Sequence, residues 1–321
     1  MSVIQFIMQQ TMIFMIPLLI VALGGLFSER CGVVNIALEG IMTMGAFMGI
    51  LFINLSTSAT DGALSGQVQL LLAVVVSMVT GGIFAFFHGY ASIRMKADQT
   101  ISGTALNMFA PAFAVFVARI IYGVQQVSFV NSFRISEVPI LCQIPIIGPM
   151  LFQKTYLTTY IGIIILIVTS IFLYKTKGGL RLRACGEHPG AADAAGVNVH
   201  RMQYLGVILS GVLAGLGGLV YVIPTSTNFN ATVSGYGFLA VAVLIFGQWK
   251  PSKILWAALF FGFTKAIASS YSGIPSLLAL GLPSYFYKMV PYVATLIVLI
   301  FTSKKSQAPR ALGVPYDKGA R

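Results

Sequence analysis

The sequence predicts an all-α integral membrane protein, a polytopic bundle of about eight to ten transmembrane segments with one short or broken. Three observations carry this reading. Of the 321 residues, 57% are hydrophobic and only 9% are charged, whereas a soluble domain carries roughly 25% charged residues. The mean hydropathy is +0.88, so most of the chain has no aqueous surface to cover. The apolar residues fall in runs, and several reach the length of about 20 that a spanning helix needs.

Nine runs are legible. The first, 3–26, follows the start "MSVIQFIMQQ", which lacks the positive region of a signal peptide and reads as a retained helix. The second, 32–53, contains "GAFMG" with Gly45 and Gly49, and the third is 68–91. The fourth, 101–122, carries Thr104, Asn107 and the aromatics Phe109, Phe113 and Phe116. The fifth is 156–174, and the sixth, 203–223, contains "GVLAG" with Gly211 and Gly215. Small residues four apart let helix backbones approach closely in lipid, so both glycine pairs predict tight packing. The seventh, "GYGFLAVAVLIFG" over 235–247, has 13 residues, short for a full span, and reads as a broken or re-entrant element. The eighth and ninth are 254–272 and 285–302. Between the fourth and fifth, "VPILCQIPIIGP" sets prolines among apolar residues and suits a short structured element on the surface. The ending "SQAPRALGVPYDKGAR" is polar and reads as loose.

Charge fixes the orientation. The net charge is +12, but no basic stripe with interleaved aromatics supports nucleic acid as a partner. The connections 27–31, 92–100, 175–202, 248–253 and 303–321 hold 15 of the 20 Lys and Arg, and the alternate connections hold three. The positive side faces the cytoplasm. That places the N-terminus outside and the C-terminus inside, provided that the seventh run counts as a crossing. The chain reads as a transmembrane domain over 1–303 with a cytoplasmic loop at 175–202, then a cytoplasmic tail over 304–321.

Several chemistries find no support. Cys31, Cys142 and Cys185 form no CxxC pair, and with His88, His188 and His200 they show no metal-ligand spacing. Zinc-type HExxH, nucleophile-elbow and Walker-type GxxxxGK[ST] motifs are absent from the sequence. The chain is expected not to be an enzyme, and to bind no metal and no cofactor of its own.

The most polar stretch is "RLRACGEHPGAADAAGVNVHRM", 181–202. Pro189 suits the first position of a helix, where its missing N–H is not needed. Gly196 suits a stop just past the end. A two-turn helix, "PGAADAA", is expected between them, with small side chains and one carboxylate, Asp193. So short a helix is marginal alone in water and gains stability by docking, although a plain solvated loop fits the residues equally well.

Polar residues inside spans mark pathways or packing glue. Asn35 and Glu39 are four apart and are expected to share one helix face. A mid-bilayer carboxylate costs about 2.5–3.5 kcal/mol on insertion scales, so Glu39 either anchors the start of a kinked helix or lines a wet path. Thr104 and Asn107, three apart, either bond a substrate or join helices. Tyr236 opens the short seventh run, and broken helices of transporters line the substrate path.

Two motifs give the sequence a resemblance. "GGLRLRACGEHPGAADAAGVNVHRMQYLG" resembles the cytoplasmic coupling loop of permease subunits in bacterial ATP-binding cassette importers. "ERCGVVNIALEGIMTMGAF" (Glu29 to Phe47) resembles the signature of the sugar and nucleoside branch of the branched-chain amino acid/ribose-type permeases, closer to nucleoside than to ribose-type members. "TISGTALNMF" and the seventh run fit the same branch. His188 departs from the asparagine more often found before the proline. The resemblance implies a type II-like importer permease that moves a nucleoside or related simple sugar across the bacterial plasma membrane. It implies three protein partners: a cytoplasmic ATPase that uses ATP and Mg, a second permease chain, homologous but different, and an extracytoplasmic substrate-binding lipoprotein. The ATPase would dock on Gly186, Glu187, His188, Pro189, Ala191, Ala192, Asp193, Ala195 and Gly196. Asn35, Glu39, Thr104, Asn107 and Tyr236 are the candidates for the substrate path. An ion-coupled secondary transporter acting alone is the competing reading.

Overall fold

The computed structural model describes residues 3–59, 66–130, 133–137, 142, 148, 152–274, 281–302 and 307–319. Helices stand at all nine expected positions: α1 (Val3–Arg30), α2 (Leu38–Ala59), α3 (Gly66–Gly89), α4 (Gln99–Tyr122), α5 (Leu157–Lys175), α8 (Val199–Thr225), α9 (Tyr236–Phe246), α10 (Pro251–Ser270) and α11 (Ser284–Thr302). Two further helices, α6 (Lys177–Glu187) and α7 (Pro189–Ala194), occupy the polar loop before α8. Among the described residues six helices, α1 to α5 and α8, are long and apolar enough to cross a membrane. The chain is a multi-pass, all-α membrane protein, with two small antiparallel ladders as its described strands. One pairs β1 (Val127–Ser128) with β4 (Asn228–Phe229), and the other pairs β2 (Arg134–Glu137) with β3 (Gln153–Tyr156). Most of "VPILCQIPIIGP" lies outside the described residues.

The core is the pair α1 and α8. Leu18, Ile20, Val21 and Leu23 of α1 are fully enclosed, and α1 packs on α8, α9, α10 and α5. α8 packs on α1, α2 and α3. Lipid tails are as apolar as leucine, so this association draws on close packing rather than on exclusion of water. The glycine pairs supply the closeness. A Cβ on Gly215 would fall on the Ser77 carbonyl oxygen, and one on Gly45 would fall on Gly215 itself. The expectation of tight backbone approach is met at the α2, α3 and α8 contact.

The connections grouped by charge also touch one another. At one end Val34 N–H donates to Gln99, Arg30 donates to the Trp249 carbonyl, and the tail bonds Gly32 and Gly186. At the other end Asn54 donates to the Ser128 carbonyl, Tyr122 donates to Asn54, and β1 pairs with β4.

The tail is not loose. Ala311 N–H donates to the Gly186 carbonyl at 2.9 Å and Gly313 N–H to the Gly32 carbonyl at 3.0 Å. Residues 307–319 therefore strap the end of α1 to the end of α6. The sequence suggested looseness because the tail has no apolar periodicity; its order comes from backbone bonds to distant residues.

Candidate functional site

Between α1 and α2 the chain leaves helical form over residues 31–37 while rising into the bundle. Buried backbone groups there need partners, because the bilayer core supplies none. Side chains from three helices provide them. Ser28 donates to the Val33 carbonyl, His88 meets the Val34 carbonyl at 2.9 Å, and Gln99 accepts from Val34 N–H at 2.7 Å. Asn107 donates to the Ile36 carbonyl at 2.9 Å and accepts from Gly40 N–H at 2.7 Å.

Asn35 is thereby placed differently from expectation, and Asn107 takes the helix-joining one of its two expected alternatives. Asn35 precedes α2 and shares no helix face with Glu39. Its side chain accepts from Ala37 N–H at 3.1 Å and donates to Ser210 at 2.9 Å. The four-residue spacing misled because the helix starts only at Leu38. Asn107 spends its oxygen and its nitrogen on backbone at the start of α2. Thr104 is exposed and donates to the Thr100 carbonyl of its own helix at 2.8 Å. It therefore does not join Asn107 in one polar group. Phe109, Phe113 and Phe116 are exposed on α4.

Glu39 and Tyr236 do come together. Glu39 Oε1 accepts from Gly235 N–H at 2.8 Å and Oε2 accepts from Gly237 N–H at 2.6 Å. The carboxylate thus closes the N-terminus of α9, where unpaired N–H groups carry partial positive charge. Asn107 lies eight residues into α4, about 12 Å along it at the usual rise, and it fixes the depth of Gly40 beside Glu39. So α9 is a half-length helix that begins deep in the bundle, as the 13-residue run implied. Tyr236 is buried, its ring 3.9 Å from that of Tyr221, with Lys265 Nζ 5.7 Å above its own ring. A cavity of about 400 Å³ opens here, lined by Ser234, Tyr236, Phe238, Lys265 and Thr295 among others. Cavities of roughly 300–1,000 Å³ hold small ligands.

The polar loop forms the other candidate surface. Thr176 caps α6 by accepting from Gly179 N–H at 3.1 Å; this helix was not anticipated. α7 starts at Pro189 as expected, and His188 Nδ1 accepts from Ala191 N–H at 3.0 Å. The histidine thus caps α7 through its ring nitrogen. Gly196 ends the turn with φ +81°, a conformation that side chains larger than glycine rarely adopt. Ala192 points inward against Cys185, Val199 and Tyr316. Glu187, His188, Ala191, Ala194, Ala195 and Gly196 are exposed, an outward face of small groups. Gly186 is buried against Arg30 and Gly32. The tail braces this helix: Lys318 Nζ lies 3.7 Å from Asp193, and Lys96 Nζ 2.7 Å from Asp317. Lys96, then Gly319 N–H, hold the Asp317 carboxyl below the usual carboxylate range. Burial pushes the Cys185 thiol up to about 11 and the Cys31 thiol up to about 12.

Sequence reasoning missed the last turn of α1. Glu29 accepts from the Trp249 indole N–H, and Arg30 donates to the Trp249 carbonyl from Nε at 3.2 Å and Nη2 at 2.8 Å. The one available signal was an adjacent acid and base closing an apolar run, which reads as an ordinary helix end.

Comparison with known proteins agrees with this architecture. Residues 7–299 match the family described as branched-chain amino acid transport system / permease component. The chain is 43% identical to the guanosine ABC transporter permease protein NupQ of Bacillus subtilis, over 100% of this chain and 99% of that protein. It is 39% identical to the nucleoside ABC transporter permease protein NupC of Lactococcus lactis, over 99% of this chain and 98% of that one. A more distant relative from the same Lactococcus, the nucleoside ABC transporter permease protein NupB, is 25% identical over 97% of this chain and 85% of its own length. No solved structure matches.

Proposed function

We propose a transport role from one established premise: the chain belongs to the branched-chain amino acid transport system permease-component family. It is the transmembrane subunit of an ATP-driven importer, and its cargo is a nucleoside. The observation that carries the cargo is the end-to-end similarity to two permeases named for guanosine and nucleoside transport. The geometry supports it. Half-helix N-termini attract anionic groups of substrates, but here Glu39 already fills that position on α9. The path therefore suits an uncharged cargo, with aromatic Tyr236 and polar Ser234 and Thr295 in the cavity wall.

The energy comes from a separate cytoplasmic ATPase that uses ATP and Mg and docks on α7 and its flanks, Gly186 to Gly196, through the outward Glu187, His188, Ala191, Ala194, Ala195 and Gly196. A second permease chain, different but homologous, completes the pore; two Lactococcus permeases resembling this chain, NupC and NupB, support a paired arrangement. An extracytoplasmic binding lipoprotein delivers the cargo. The clustering of the Lys- and Arg-rich connections at one end supports a cytoplasmic C-terminus and an outside N-terminus.

Uptake of labelled guanosine, adenosine and uridine tests this reading. We expect uptake that needs ATP and survives collapse of proton and sodium gradients. Uptake abolished by gradient collapse alone would favour the ion-coupled alternative, with Glu39 and Lys265 as the residues to examine.

A further inference from the structure

The corner between α9 and α10 is strained and is held by two segments, the last turn of α1 and the tail. Gln248 and Trp249 are consecutive residues with φ of +49° and +53°, a conformation uncommon for any residue but glycine. Such geometry persists where the surroundings impose it, and it collects at switch regions. The surroundings here are the tail, where Gln307 N–H donates to Gln248 Oε1 at 3.0 Å, and the last turn of α1. Trp249 is buried, its indole N–H on Glu29 and its carbonyl on Arg30. The third guanidinium nitrogen, Arg30 Nη1, lies 3.6 Å from Glu187 Oε1. Glu187 is the last residue of α6, next to the cap of α7.

One planar group therefore spans the polar loop and the strained corner. A cation at the end of α1 would be favourable through the helix dipole alone. That simple role needs no bond to Trp249 or to Glu187. The guanidinium makes both contacts in fixed directions, which a lysine ammonium does not reproduce.

We infer that Arg30 is a positioning residue that passes displacement of α6 and α7 to Trp249, and so to α9, whose opposite end rests on Glu39. The inference rests on the reading that the ATPase docks on the 175–202 loop. In that arrangement the half-helix beside the cavity is gripped at both ends. A push on the loop moves its inner corner while Glu39 holds its deep end.

The test uses the intact transporter, reconstituted with its ATPase and partner chain, and reads nucleoside uptake per ATP hydrolysed. A merely structural loss lowers uptake and hydrolysis together; a broken link lowers the ratio. Arg30→Gln is expected to lower the ratio about tenfold, and Arg30→Lys to recover only part of it. Glu187→Gln changes a half-exposed side chain, so it keeps the test alive if Arg30→Gln fails to assemble; its expected loss is about threefold. The double variant should be no worse than Arg30→Gln, because both break one chain of contacts. An unchanged ratio in either single variant, or losses that multiply in the double variant, would overturn the link alone. A wild-type chain that assembles with no ATPase would overturn the docking reading and the link with it.

Discussion

The Glu39 carboxylate accepts a hydrogen bond from Gly237 N–H at 2.6 Å, across 198 residues of sequence. With Gly235 on its other oxygen, it anchors a half-length helix inside the bundle. Removing it leaves two part-buried N–H groups without this acceptor. Each such loss costs about 1–3 kcal/mol. Glu39→Ala should therefore lower the thermal midpoint of the purified protein, and Glu39→Gln should lower it less, since its amide oxygen still accepts one bond. An alanine variant as stable as the wild type would contradict the anchoring role.

Gly215 sits where α8 meets α2 and α3. A methyl group there would overlap the Ser77 carbonyl and crowd Gly81. Overpacking of this kind costs about 1–3 kcal/mol. Gly215→Ala should destabilise the protein by that order in thermal or denaturant unfolding.

The tail strap covers Cys185. Burial holds that thiol near 11, so little reactive thiolate forms at neutral pH. Labelling of Cys185 by a thiol reagent should be slow in the intact chain and rise only as pH approaches that value. Truncation after Lys305 removes Tyr316, which packs against Cys185 and Ala192. Labelling at neutral pH, followed by peptide mapping, should then accelerate severalfold, because Cys185 loses part of its cover. An unchanged rate would show that the strap does not cover this site.

Much of the architecture was legible in the sequence because it depends on local pattern. The apolar runs gave the positions of nine helices, the 13-residue run gave the half-helix, and Pro189 and Gly196 gave both ends of α7. The polar residues were harder to read. Asn35 and Asn107 were visible as polar groups in spans, but they bond Ala37 N–H, the Ser210 hydroxyl, the Ile36 carbonyl and Gly40 N–H, in and beside a broken stretch at residues 31–37. A spacing rule that assumes a continuous helix could not place them. Glu29 and Arg30 meet Trp249 some 220 and 219 positions away, and no local pattern announces such a contact. The strap was missed for the same reason, since its backbone bonds carry no signature in side-chain polarity.

The proposed engagement of a separate ATPase with α7 and its flanks is open to direct test. The most direct measurement is isolation of the tagged chain from native membranes, with and without residues 189–195, and identification of the co-isolated proteins by mass spectrometry. We expect a nucleotide-binding ATPase and a second permease chain with the intact protein, and loss of the ATPase from the deleted form while the second permease stays. Equal recovery of the ATPase with both forms, or recovery of the intact chain alone from membranes in which it is active, would contradict it.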